Sequence, residues 1–101
     1  MLTIDDLAKR LKPVFDTNGV VRAVVFGSYS NGSATENSDI DIVVDTEEWV
    51  RGLEFVGLIG DVVECLNIDV DLIAQRSIKP GTDIALAIER EGRVIYDKQG
   101  Y

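Results

Sequence analysis

The sequence predicts an α/β (α+β) domain built on a mixed β-sheet of three to four strands, with helices packed mainly on one face. Three observations predict it. Short apolar or alternating stretches at 20–26, 39–44, 68–73 and 93–96 have the period of strands. Apolar residues recur at helical spacing over 3–16, 46–66 and 80–91, so the two patterns alternate along the chain. The 101 residues fit one domain, 1–101, with little room for a second core.

The first helix carries Ile4, Leu7, Leu11, Val14 and Phe15 on one stripe. Thr3 suits its N-cap, and Asp5 and Asp6 suit the positive end of the helix dipole. Pro13 lacks an amide hydrogen, which predicts a kink or a break into two pieces. Asn18 and Gly19 tolerate positive φ and end the segment. Val20 to Phe26 is a mostly β-branched run and reads as a buried strand. The Gly-, Ser- and Asn-rich stretch 27–38 reads as a loop with room for one helical turn. In the strand 39–44, Asp39, Asp41 and Val43 share one face while Ile40, Ile42 and Val44 share the other. The helix over 46–66 is expected to bury Trp49, Leu53, Val56, Val63 and Leu66, and Gly52, Gly57 and Gly60 weaken it by about 1 kcal/mol each relative to alanine. In the third strand, Ile68, Val70 and Leu72 point inward and Asp69 and Asp71 outward. A helix over 80–91 ended by Gly92 and a closing strand over 93–96 complete the order.

Composition narrows the function. Ten basic against eighteen acidic residues give a formal charge of −8, which speaks against nonspecific nucleic-acid or membrane-surface binding. No direct nucleic-acid binding is expected, and no apolar run is long enough for a membrane helix. The first ten residues carry acids where a signal peptide would be basic, so a cytoplasmic location is expected. Cys65 is the single cysteine and histidine is absent. Common zinc sites and histidine-based triads are thereby removed. An acidic protein that handles polyphosphates must do so through a divalent cation.

Asp39 and Asp41 carry that possibility. Two residues apart on a strand, their α-carbons lie roughly 6.6–6.8 Å from each other with both carboxylates on one face. Like charges held this close invite a cation, and hard oxygen donors suit Mg²⁺ or Mn²⁺, with room for two ions about 3.5–4 Å apart. Asp71, on a neighbouring apolar strand, offers a third carboxylate. A lone D-x-D is commonplace in acidic proteins; Gly27 and Ser28 change the weight, ending the preceding strand with ten residues between Ser28 and Asp39. Gly27 permits a sharp turn and close backbone approach, and Ser28 adds a hydroxyl and amide donors for an anion.

This spacing resembles the nucleotidyltransferases of the DNA polymerase β superfamily, and most closely the minimal nucleotidyltransferase domains often encoded beside a HEPN-domain partner. Gly27, Ser28, Gly32, Ala34, Ser38, Asp39, Ile40 and Asp41 fall on the family's first motif, and Val70, Asp71, Leu72 and Ile73 on its second. The segment from Ile88 to Tyr96 is similar to its last helix and strand, so the resemblance spans nearly the whole chain. Asn31 stands where many relatives have arginine, which removes a charge that would help hold phosphates.

The resemblance implies a polymerase β-like fold and two-metal transfer of a nucleoside monophosphate, AMP from ATP, to a hydroxyl acceptor. On that reading Asp39, Asp41 and Asp71 are the catalytic and metal-binding residues, and Gly27, Ser28 and Ser38 hold the nucleotide. Asp71 is the candidate to accept the hydroxyl proton. At this length no separate acceptor domain is expected, so the resemblance points to a partner protein, a HEPN ribonuclease toxin modified on a tyrosine, with this chain as the antitoxin; self-association is left open. The alternative is a catalytically weak or inactive antitoxin that neutralises its HEPN partner by stoichiometric binding.

Overall fold

A computed structural model describes residues 2–32 and 39–99, except for the side chain of Asn31. The sheet has four strands in the order β3-β2-β1-β4. Its centre is β1 (Val20–Phe26), buried along most of its length, which accounts for its continuous apolar sequence. The strand β2 (Ile40–Thr46) pairs antiparallel with β1 and parallel with β3 (Val70–Ala74), and β4 (Arg93–Asp97) closes the other side antiparallel to β1.

One face is covered by α1 (Ile4–Thr17) and α3 (Leu53–Leu66). Leu7, Leu11 and Phe15 from α1, and Leu58, Val62 and Leu66 from α3, pack on Val25, Ile40, Ile42, Val44 and Ile95. Thr3 caps α1 reciprocally: its hydroxyl accepts from the Asp6 amide at 3.0 Å, and the Asp6 carboxylate accepts from the Thr3 amide at 3.1 Å. Contrary to the break expected at Pro13, α1 runs uninterrupted to Thr17. Pro13 lies on the exposed side, as does Lys9, whose carbonyl it leaves without an amide partner. The Thr17 hydroxyl and Asn18 amide then donate to the carbonyls of Pro13 and Val14, at 3.0 and 2.8 Å.

The long helix expected over 46–66 is shorter and turned differently. Thr46 still pairs with Val20 in the sheet, and the helix begins only at Leu53. Before it stands Gly52, with φ 55° and ψ −113°, outside any helical conformation. The Arg76 guanidinium pins the intervening turn, donating to the Thr46 hydroxyl at 3.1 Å and the Val50 carbonyl at 3.0 Å. The buried stripe is therefore Leu58, Val62 and Leu66; Trp49, Leu53 and Val56, expected inside, are exposed.

The opposite face is covered in part. Val24, Phe26 and Val43 pack with Ile73, Ile78, Ala87, Ile88 and Val94, which brings α4 (Asp83–Glu91) onto this side. Thr82 caps α4 by accepting from the Ala85 amide at 3.3 Å, so the helix starts three residues later than Pro80. No helix among the described residues is long and apolar enough to cross a membrane.

Candidate active site

The site lies where three neighbouring strands expose one end of that partly covered face. In the register, Phe26 pairs with Asp41 and Asp41 pairs with Asp71. Phe26, Asp41 and Asp71 thus form a row across the sheet, with strands about 4.8 Å apart, and Gly27 follows Phe26 just past the end of β1. Asp41 alternates with buried Val43, and Asp71 with Ile73, so both carboxylates project beyond the apolar patch under α4. Ile40 and Ile42, fully buried on the other face, fix this orientation. Asp39 sits one residue ahead of β2, where the Ile40 amide donates to the Asp69 carbonyl at 3.3 Å and ties the two strand starts together.

Electrostatics mark Asp41 as the focal acid. Burial raises its pKa above the usual carboxylate value, and the negative charges of Asp71 and then Asp39 raise it further. The two ion pairs among the described residues, Lys12 with Asp16 and Lys98 with Glu47, lie elsewhere.

Gly27 abuts this acid. Its backbone has φ 76° and ψ −147°, a region open essentially to glycine alone. A β-carbon built on it would stand 2.6 Å from Asp41 Oδ2, so the carboxylate occupies the space that any other side chain would fill. The chain then turns into the short helix α2 (Ser28–Asn31), held by the Ser30 amide and hydroxyl donating to the Gly27 carbonyl at 3.1 and 3.0 Å. Amides of a first helical turn have no acceptor within the helix, so those of Ser28 and Tyr29 have none inside α2.

Of the residues singled out from sequence, Gly27, Ser28, Asp39, Asp41 and Asp71 gather at this end. Ser38 and the side chain of Asn31 lie outside the described residues. Among the described residues no three acid, histidine or cysteine side chains close into a metal cage. The donor chemistry nevertheless suits a hard divalent cation: the crowding of Asp41 by the charges of Asp71 and Asp39 is relieved by a shared positive charge. The steric fit of Asp41 over Gly27 escaped sequence reasoning, although a glycine ending a strand opposite an aspartate was the available clue.

A nucleotidyltransferase is the class of enzyme this fold and row of residues define. The chain belongs to the nucleotidyltransferase domain family, whose description matches residues 4–95. It is 39% identical over 100 residues to protein adenylyltransferase MntA of Thermococcus cleftensis, covering 95% of this chain and 97% of that one. Among solved structures, a chain of a toxin–antitoxin complex with AMP-PNP superposes with a TM-score of 0.74 at 26% identity, covering 91% of this chain and 74% of that one. A complex of tri-AMPylated HEPN toxin with MNT antitoxin from Shewanella oneidensis gives a TM-score of 0.70, covering 96% and 75%; at 22% identity it shows the fold alone.

Proposed function

We propose that this protein transfers AMP from ATP to a hydroxyl group of a partner protein, as the antitoxin of a HEPN toxin–antitoxin module in the cytoplasm, folding as one domain over 1–101. The observation that carries the reading is Asp41 and Asp71 in register on neighbouring strands, with Gly27 just past the end of β1 against the Asp41 carboxylate and Asp39 beside it. A relative named as a protein adenylyltransferase, aligned over nearly its whole length, supports the direction of transfer.

Each residue has a task. Asp39, Asp41 and Asp71 would hold Mg²⁺ or Mn²⁺, as two ions, which neutralise the triphosphate and acidify the acceptor hydroxyl when bound. Gly27 leaves room for the Asp41 carboxylate, and Ser28 with the first amides of α2 steadies the phosphates, joined by Ser38. The acceptor oxygen bonds to the α-phosphorus while the bond to the bridging oxygen breaks and pyrophosphate departs. The hydroxyl proton passes to the Asp71 carboxylate, an exposed base on the strand farthest from Gly27.

The test is to incubate the protein with ATP, Mg²⁺ and its HEPN partner, then weigh the partner. Added mass in AMP units, lost when Asp39, Asp41 and Asp71 are all alanine, is the expected result. Asn31 in place of arginine favours the second reading, a stoichiometric inhibitor, in which the partner is silenced with no added mass and the triple variant silences it equally well.

A further inference from the structure

Beyond Asp71, on the same face of the sheet, lies a groove of about 310 Å³ lined by Ile73, Ser77, Ile78, Lys79, Thr82 and Ile84. Three elements build it: β3, the η1 turn (Gln75–Ser77) with the segment after it, and the start of α4. Ile73 follows Asp71 by two positions, so the groove starts about 6.6 Å from the carboxylate-bearing α-carbon. The phosphate-holding turn at Gly27 and Ser28 is on the opposite side of Asp41, because β1 and β3 flank β2. The two sides of the aspartates are thus different surfaces.

The strand β3 also ends the sheet. It pairs with β2, and among the described residues no strand pairs its outer edge. An open edge has backbone donors and acceptors ready for an added strand.

We infer that this groove and edge seat the acceptor: an extended segment of the partner polypeptide laid along β3, with its hydroxyl-bearing residue over Asp71 and an apolar residue two positions away in the groove. The inference rests on the nucleotidyl-transfer reading. Side chains of an extended segment repeat every two residues, the same spacing that separates Asp71 from Ile73, so the hydroxyl and the apolar side chain come into register together. The walls Ile73, Ile78 and Ile84 fit an aliphatic occupant, and the charge of −8 favours a segment with cationic flanks.

Two synthetic tyrosine peptides with lysine flanks test it, one with leucine and one with aspartate at both positions two residues from the tyrosine. With α-labelled ATP and Mg²⁺, the wild-type protein should label the leucine peptide about tenfold or more above the aspartate peptide. Ile84→Glu, at a residue 44% exposed, and Lys79→Trp, at an exposed residue, should each lower labelling of the leucine peptide about tenfold. Both should bind a fluorescent ATP analogue within twofold of wild type. Labelling by both variants at the wild-type level overturns the inference. So does loss of ATP-analogue binding, which would make the groove a nucleobase pocket. A wild-type protein that binds ATP and releases pyrophosphate but labels neither peptide also overturns it, leaving nucleotidyl chemistry intact. Failure to bind ATP at all removes the nucleotidyl-transfer reading itself and the inference with it.

Discussion

Replacing Gly27 with alanine separates placement of the Asp41 carboxylate from mere integrity of the fold. The new β-carbon would lie 2.6 Å from Asp41 Oδ2, so the oxygen must retreat about 0.8 Å to reach ordinary contact at 3.4 Å. A shift approaching 1 Å in a reacting group costs on the order of 100-fold in rate. The backbone, at φ 76° and ψ −147°, adds about 1–3 kcal/mol of strain for an L-residue, or roughly 4–24 °C in melting temperature for a domain of this size. Gly81→Ala is the control: its φ is 82° and nothing lies within 4 Å of its built β-carbon. Both variants should melt earlier, but only Gly27→Ala should lose AMP transfer, by about 100-fold, measured well below its melting point. If Gly27→Ala transfers AMP within a few-fold of Gly81→Ala, the steric placement of Asp41 over Gly27 is not what the reaction needs.

Other perturbations read the scaffold. Gly57 and Gly60 lie in α3 with open space where a β-carbon would be, so Gly57→Ala and Gly60→Ala should each stabilise by up to about 1 kcal/mol in urea titrations; no gain would mean that α3 is not helical there. Leu58 is fully buried between α3 and the sheet, and Leu58→Ala should cost about 2–5 kcal/mol by the same titration. Tyr96 donates to the Asp16 carboxylate, and burial, then that hydrogen bond, pushes its pKa from 10.0 to about 12. The folded state therefore keeps a proton that the unfolded chain gives up, so this stability is complete below pH 10 and drains away as pH rises towards 12. Tyr96→Phe should flatten the alkaline fall of the urea midpoint; an unchanged slope would show that Tyr96 does not report it.

Much of the molecule can be read directly from residue pattern. The β-branched run at Val20–Phe26 identifies the central strand because burial on both faces admits little else. The alternation from Asp39 to Val44 orients its acids by fixing where Ile40 and Ile42 must go. What the pattern misses is decided by contacts distant in sequence. The start of α3 is set by the backbone of Gly52, by pairing of Thr46 with Val20 and by the reach of Arg76 across thirty residues. Counting Trp49 as helical selects the stripe through Leu53 and Val56, and because α3 is apolar on more than one side the pattern alone does not favour Leu58 and Val62, which are the ones buried. Pro13 is tolerated because of the side of α1 it faces, a property of packing. The same holds for the groove beside Asp71, whose walls come from β3, η1 and α4 and share no local motif.

Calorimetric titration of ATP into protein in saturating Mg²⁺, run beside a variant with Asp39, Asp41 and Asp71 all changed to asparagine, tests the centre of the account most directly. Asparagine keeps the shape of each side chain while removing its charge and turning one acceptor oxygen into an amide donor. Heat of binding from the native protein, abolished by chelating the magnesium and absent from the folded variant, is the predicted result. Equal heats from the two proteins, with or without the cation, would contradict the assignment of these aspartates to a metal-dependent nucleotide site.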